Sequence, residues 1–449
     1  MVDVRLFVDE GLGHSSYLVD LGDGSAAIVD PPRFPAEQLT AADILQLKPR
    51  WTLDTHSHAD YVTGSSALAS QRGMTFVAPG ASKLETPHRG VHDGERVELA
   101  DGVALRAIAT PGHSPDHHVY VIDHHGSPAA LFTGGSLMVG SVGRTDLCGP
   151  ELTEPLAHEM FHSLRRLDEF PDDLPVYPTH GAGSFCSAPG GSDRTSTLGR
   201  ERATNPLFRI DDEDTFVEQL LAGFGSFPTY FARLPELNRR GPRLYREPPR
   251  LEQLDVDSVE RHFAAGAAVI DVRPIAEFAG GHIPGSISNA LRPVFASWLG
   301  WVVDLDRPIL IVAGTDQDRD EIVRQCLDIG HESIVGELDG GIEGWRSAGG
   351  RIEGIDLVDP AEIVGTVVDV RQRSEYTAGH VPGAVNIELG SLSAKPIPDG
   401  PVTVMCGHGE RAMTGASVLV AGGHRDVSVL EGGPDTWSAW SGKPLEAGA

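Results

Sequence analysis

Apolar residues in the first 180 positions come in short runs separated by turn chemistry. "SSYLVDLGDGSAAIVD" (15–30) reads as two strands about a Gly-Asp-Gly turn. "ERVELADGVALRAIAT" (95–110) and "HHVYVIDHHGSPAALFTG" (117–134) read as further hairpins, with helical patterns at 35–47 and 63–72. The pattern predicts an α/β sandwich with antiparallel hairpins, its polar and histidine-rich stretches falling where strands end. Beyond residue 250 the rhythm changes. Short apolar strands ("AAVIDVR", "PILIVAG", "GTVVDVR", "PVTVMCG") alternate with helical stretches ("RDEIVRQCLDIG", "RAMTGASVLVAGG"). That alternation predicts parallel sheets flanked by helices.

The second half is an internal repeat. "VIDVRPIAEFAGGHIPG" (269–285) returns 98 residues later as "VVDVRQRSEYTAGHVPG" (367–383), and "ELDGGIEGW" (337–345) returns as "VLEGGPDTW" (429–437). The period is too long for a solenoid and implies a duplicated domain. The Pro- and Arg-rich stretch 238–256 reads as a linker. The expected domains are 1–247, 248–353 and 354–449.

The chain has 449 residues and a net charge of −28. A field of that sign disfavours nucleic-acid backbones and anionic membrane surfaces as partners. No apolar run approaches the roughly 20 residues of a membrane span. The first residues, "MVDVRLFVDEGLG", lack the basic start and apolar core of a signal peptide. Four cysteines without CxxC spacing are expected as free thiols in a reducing cytoplasm. Nothing in the chain sets the oligomeric state, and a homo-oligomer is left open.

Thirteen of the nineteen histidines fall in the first 180 residues. In "THSHADY" (55–61), alternate residues His56, His58 and Asp60 can project together from an extended loop. His113 in "TPGHS" and His180 in "YPTHGAG" occupy Pro/Gly-rich turns after apolar strands. Histidines in four such positions point to a metal site. In "PVTVMCGHGERAM", an apolar strand ends at Cys406, a Gly-rich loop follows, and a helix starts near Arg411. Inward backbone N–H groups and a helix N-terminus favour a thiolate. The first repeat has Ala313 where the second has Cys406, which predicts a catalytically silent copy.

"THSHAD", "TPGHS", "LFTGG" and "YPTHG", in that order over residues 1–215, resemble the metallo-β-lactamase fold. With "GRTDL" (143–147) and the repeat behind it, the chain is similar to bacterial fusions of a persulfide dioxygenase, related to glyoxalase II, with a degenerate and an active rhodanese domain. The resemblance implies an αββα sandwich followed by two α/β rhodanese-like domains with parallel sheets. It implies one iron(II) ion, with zinc the alternative, held by His56 and His113 and an aspartate from the "FTGD" turn. Here that turn is "FTGG", with Gly135 in the aspartate's place. His58, His180, Asp60, Asp116 and Asp146 stand open as substitutes. Tyr61 replaces the histidine that a second ion would require. Arg144 matches the arginine that binds thiol carboxylates. Cys406 and Arg411 match the catalytic loop of rhodanese, with Gly407, His408, Gly409 and Glu410 lining it.

The implied function is oxidation of a low-molecular-weight thiol persulfide by O2 to sulfite, joined to sulfane-sulfur transfer through a Cys406 persulfide, with sulfite and thiosulfate as partners. The alternatives are a metal-dependent thioester hydrolase of the glyoxalase II type, or a sulfurtransferase carrying a lapsed metal domain.

Overall fold

The computed structural model describes residues 2–186 and 193–448. It divides into two compact units, residues 1–247 with 327–330, and residues 248–326 with 331–449. No helix among the described residues is long and apolar enough to cross a membrane.

The first unit contains two six-stranded sheets. In one, Asp3–Asp9, His14–Asp20 and Ser25–Val29 pair antiparallel, and Lys48–Leu53, Thr75–Pro79 and Arg89–Val91 continue in parallel. In the other, the antiparallel run Arg96–Ala100, Val103–Ala109, His118–His124 and Ser127–Gly134 leads to Pro175–Pro178 in parallel. Neighbouring residues on a strand face opposite sides, and here both sides are covered. Tyr17, Val19, Ala27 and Val29 join Leu105, Tyr120, Ile122 and Phe132 in one core. Their neighbours Leu18, Ala26 and Ile28 pack instead with Ala42 and Leu68 of the helices Ala36–Ile44 and Ser65–Arg72. On the other sheet, Val119, Val121 and Leu131 pack with Met160, Phe161 and Leu164 of the helix Pro150–Arg165. The expected αββα sandwich is therefore the observed one, and burial on both faces explains why the strands read as near-continuous apolar runs.

The stretch 238–256 is not simply a linker. It begins inside the helix Leu234–Arg240, where Asn238 is buried. The Asn238 amide donates to the carbonyls of His58 and Tyr61, both at 3.0 Å, and its oxygen accepts from Thr63 N at 3.1 Å. The Pro/Arg-rich composition hides one residue that props up the histidine loop.

The second unit holds two five-stranded parallel sheets with matching orders. The central strand is Ile309–Val312 in one and Val402–Met405 in the other, flanked by Ala268–Asp271 and Thr366–Asp369. The recurring polar residues of the repeat hold the fold. Arg273 is bonded to Asp271 and to Gly281 O, and Arg371 repeats this on Asp369 and Gly379 O. His282 Nδ1 bonds Phe278 O and its ring stacks on Phe278 at 3.9 Å, while His380 does the same on Tyr376 at 3.8 Å. Asp369 is fully buried, so removing it leaves Arg371 without its counter-ion in a dry setting. Asp369→Ala should destabilise the second unit by about 3 kcal/mol. Five of the six tryptophans lie beyond residue 290, so a urea titration followed by tryptophan fluorescence should show the lowered midpoint.

Candidate functional site

The loops after strands Lys48–Leu53, Val103–Ala109, Ser127–Gly134 and Pro175–Pro178 meet at one edge of the sandwich, tied together by backbone bonds. His118 N donates to Thr55 O at 2.9 Å, Thr179 N to Gly134 O at 2.9 Å, and Ser15 N to Thr179 O at 2.6 Å. Gly134 must be glycine, because its φ is +54° and a Cβ there would lie 2.5 Å from His117 Nε2 and 2.6 Å from Thr55 Oγ1.

His56, His113 and His180, all buried, bring one ring nitrogen each within 4.8 Å of one another. His56 Nε2 and His180 Nε2 are 3.3 Å apart. The other nitrogen of each ring is engaged. Thr55 Oγ1 donates to Asp30 Oδ2 and so accepts from His56 Nδ1 at 2.8 Å. His113 Nδ1 donates to Arg144 O at 2.8 Å, and His180 Nδ1 lies 3.1 Å from Asp60 Oδ2. The hydrogen-bond partners assign the proton of His56 and His113 to Nδ1 and leave their Nε2 as lone pairs. Burial, reinforced by the neighbouring imidazoles, holds His56 well below the ordinary histidine pKa, and burial brings His113 to about 3. Three buried imidazoles converging by one ring nitrogen each fit a metal ion.

The other candidates are engaged elsewhere. His58 Nε2 lies 3.3 Å from Asp30 Oδ1 and 3.1 Å from Tyr61 OH. Asp60 stands with His58 and His180 in a second group whose donor atoms lie within 4.8 Å of one another. Asp116 accepts from Ser57 N, Ser57 Oγ, Ser82 Oγ and Ser114 Oγ, and Asp146 binds Arg144. Tyr61 OH also donates to Asp30 O at 3.2 Å; burial first, then the surrounding carboxylates, push its phenol well above the ordinary value. It is an uncharged hydrogen-bonding group and a poor metal ligand.

Gly135 is where the structure departs most from an aspartate-bearing turn. A Cβ on it would stand 2.2 Å from His113 Cδ2. The His113 ring occupies the space a side chain would need, and His180 supplies the third nitrogen. Arg144, expected at substrate, is instead buried and bidentate on Asp146 at 2.6 and 2.8 Å, with further bonds to Phe185 O and Gly225 O. A guanidinium stripped of water must be paired. Its effect on the site runs through its carbonyl on His113. A cavity of about 540 Å³, lined by His113, Ser57, Asp116, Cys148, Pro235 and Arg239 among others, leads to this edge.

Several residues of this centre escape a reading of the sequence. His117 lies within the His56 and His113 rings, at centroid distances of 4.9 and 6.3 Å, but its Nε2 accepts from Gly135 N at 2.9 Å and its Nδ1 meets Thr110 Oγ1. Its place in "SPDHH", beside His113, was the available signal. His14 stacks on Tyr61 at 4.1 Å from the far end of the first hairpin, for which no local motif exists.

In the second unit, Cys406 follows the strand Val402–Met405 and is buried. Its Sγ accepts from Gly409 N at 3.1 Å, just before the helix Glu410–Ala421. Gly409 has φ +109°, and a Cβ on Gly433 would come 2.4 Å from Gly407 O, which explains the glycines of "CGHG" and "EGG". Arg411 is bidentate on Glu375 at 2.6 and 2.8 Å. Gly407 and Glu410 are half-buried beside the sulfur, and His408 is exposed. In the first copy, Ala313 to Arg319 is one residue longer than Cys406 to Arg411. Gln317 Oε1 takes the Gly314 N–H at 2.6 Å, and Arg319 Nη1 donates to the carbonyls of Gly314 and Gln317. The silent loop has lost its nucleophile and filled its own cradle.

Comparison with known proteins shows what the two regions resemble. Residues 9–180 match the Metallo-beta-lactamase superfamily, and residues 255–348 and 355–440 each match the Rhodanese-like domain. The human mitochondrial persulfide dioxygenase ETHE1 is 28% identical over 176 residues, 38% of this chain and 61% of that protein. The hydroxyacylglutathione hydrolase of Chelativorans sp. is 30% identical over 219 residues, 43% of this chain and 81% of that protein. The chain thus spans about three fifths of the length of the human relative. A metallo-beta-lactamase crystal structure from Staphylococcus aureus superposes with a TM-score of 0.67 at 26% identity, covering 75% of this chain and 98% of that one.

Two outcomes are expected. Gly135→Ala, which drives a methyl into His113, should lower bound metal about tenfold at limiting concentration, read by elemental analysis after dialysis. Ala313→Cys in a Cys406→Ser background should form no thiocyanate from thiosulfate and cyanide, because Gln317 holds the N–H that a thiolate would use.

Proposed function

We propose that this chain, which belongs to the metallo-beta-lactamase superfamily and carries two rhodanese-like domains behind that fold, is a two-site enzyme of sulfane sulfur. Its first site oxidises a low-molecular-weight thiol persulfide, and its second moves sulfane sulfur through Cys406. At the first site a persulfide anion, O2 and water give the thiol, the sulfite dianion and one proton. At the second, Cys406 takes the outer sulfur of a donor as a persulfide and passes it on.

The observation that carries the first half is Tyr61. Relatives of this chain include both persulfide dioxygenases and hydroxyacylglutathione hydrolases by name. A hydrolase with two ions needs a ligand where Tyr61 holds a neutral hydroxyl between Asp30 O and His58. His56, His113 and His180 would hold one ion, iron(II) in this reading. When bound, iron(II) would supply the open-shell chemistry that lets O2 react with a sulfur anion. The chain's own residues do the rest. Asp30 with Thr55, and Arg144 O, fix the rings of His56 and His113 in the donor tautomer. The cavity beside His113 lies within the range that admits a small thiol. Asp116, held by three serines, keeps the loops that line it in register.

At Cys406, the Gly409 N–H and the start of the helix Glu410–Ala421 stabilise negative charge on sulfur. Arg411 is held by Glu375 as a fixed positive group on the same turn.

A three-histidine donor set also suits zinc, which is the second reading. Zinc would favour hydrolysis, and oxygen consumption separates the two. The iron-loaded protein given glutathione persulfide should take up O2 and release sulfite. Cys406→Ser should abolish thiocyanate formation from thiosulfate and cyanide, while metal content and O2 uptake persist. Absence of O2 uptake with sulfur transfer intact would leave a sulfurtransferase carrying an idle metal domain.

A further inference from the structure

The cavity beside His113 has a wall of two kinds. Ala59, Ala81, Ala232, Pro235 and Leu147 make it apolar on one side. Cys148 adds a thiol whose pKa burial raises to about 11, so it is uncharged near neutral pH. The charged groups are few. Among the described residues of the wall they are Asp116, Glu236 and Arg239, and His113 is neutral.

The one permanent cation of that wall is consumed within the chain. Arg239 Nε and Nη2 donate to the two oxygens of Glu236 at 2.7 and 2.9 Å, and Nη1 donates to Glu85 Oε1 at 2.8 Å. Two carboxylates therefore outweigh one guanidinium at the rim. Asp116 is buried, and it accepts from Ser57 N at 3.0 Å, Ser57 Oγ at 2.7 Å, Ser114 Oγ at 2.6 Å and Ser82 Oγ. These donors are uncharged, so they orient Asp116 without cancelling its charge. Arg144, behind His113, is spent on Asp146 and two carbonyls. A carboxylate entering this cavity meets no unengaged cation on the described wall and faces Asp116 and Glu236, which carry its own sign. Taking a carboxylate out of water without a partner is costly, and like charges add to the cost. Hydroxyl and amine groups fare differently, because the oxygens of Ser57, Ser82 and Ser114 keep lone pairs that accept hydrogen bonds.

We propose that the first site selects a thiol carrier without carboxylates, either neutral and rich in hydroxyls or cationic, and that Asp116 and Glu236 are the residues that set this preference. The proposal rests on the reading of this cavity as the entry for a thiol persulfide. Only the sulfur end of the substrate is then anionic, and it is directed at the three histidines and their metal. The rest of the carrier lies along the apolar and serine-lined wall. Glutathione, with two carboxylates and one ammonium, is on this account a usable but weak carrier, turned over with a raised KM. Glu236 acts twice, by its own charge and by holding Arg239 away from an incoming carboxylate.

The test measures binding, with no turnover. The full chain loaded with iron(II) is titrated calorimetrically, without O2, with glutathione and with its diamide, in which both carboxylates are carboxamides of nearly the same size. The diamide should bind about tenfold more tightly. The ratio of the two dissociation constants should shrink as salt is raised from about 0.05 to about 0.5 M, as a preference set by charge must. Glu236→Gln should lower the ratio about threefold, and Glu236→Lys should bring it to one or reverse it. Glu236 is half-exposed, so neither change opens the core. Equal binding of the two thiols, tighter binding of glutathione, or a ratio that Glu236→Lys leaves unchanged overturns the proposal. O2 uptake with glutathione persulfide at a KM as low as that of the diamide persulfide overturns it as well and leaves the dioxygenase reading standing. A charge preference that Glu236→Lys removes, in a protein that takes up O2 with neither persulfide, keeps the proposed selectivity and refutes the dioxygenase reading instead.

Discussion

The metal centre hangs on the buried carboxylate of Asp30. It sits at the end of the strand Ser25–Val29, in the left-handed region at φ +48°. It accepts from Thr55 N and Thr55 Oγ1, from Thr179 Oγ1, and faces His58 Nε2. Thr55 belongs to a loop of one sheet and Thr179 to a loop of the other. A single carboxylate thus joins the two halves of the sandwich where the histidines converge. Burial opposes its ionisation, and His58 with these donors outweighs burial, holding the carboxyl below its usual range. Through Thr55 it also sets the tautomer of His56.

The second unit shows what a duplicated domain keeps and what it gives up. The Asp–Arg pairs, the stacked histidines and the glycines that let the chain pass closely are common to both copies. These are the terms a parallel sheet of this size needs, and removing any of them leaves a buried group unpaired. The loop after the fourth strand in sequence carries no such burden. In one copy it closes around Cys406, and in the other around Gln317. The packing of Trp298 and Ile275 on the surviving loop gives the silent copy a reason to remain.

Gly135 shows how one absent side chain reorganises a centre. The room a carboxylate would take is filled by the His113 ring, whose Nδ1 is anchored on Arg144 O and whose Nε2 turns to the other two histidines. Arg144 can anchor it because its own side chain is locked by Asp146 and two phenylalanine rings. The group of His56, His113 and His180 thus offers nitrogen alone.

The sequence by itself determined the layers, the duplication and the two reactive loops. Apolar periodicity reports burial directly, and a thiol at a strand end before a Gly-rich turn is a local signal. The histidines were legible as a group for the same reason, each sitting in a turn after a strand. Which of them share a centre was not legible. His58 and Asp60 are the neighbours of His56 in sequence, yet His113 and His180, 57 and 124 residues away, meet it in space. That choice depends on which nitrogen already has a partner, and the partners, Thr55 on Asp30 and Arg144 O, come from different loops. Asn238 within a linker-like stretch was equally hidden. It holds the carbonyls of His58 and Tyr61 from far along the chain, so only the tertiary structure could assign it.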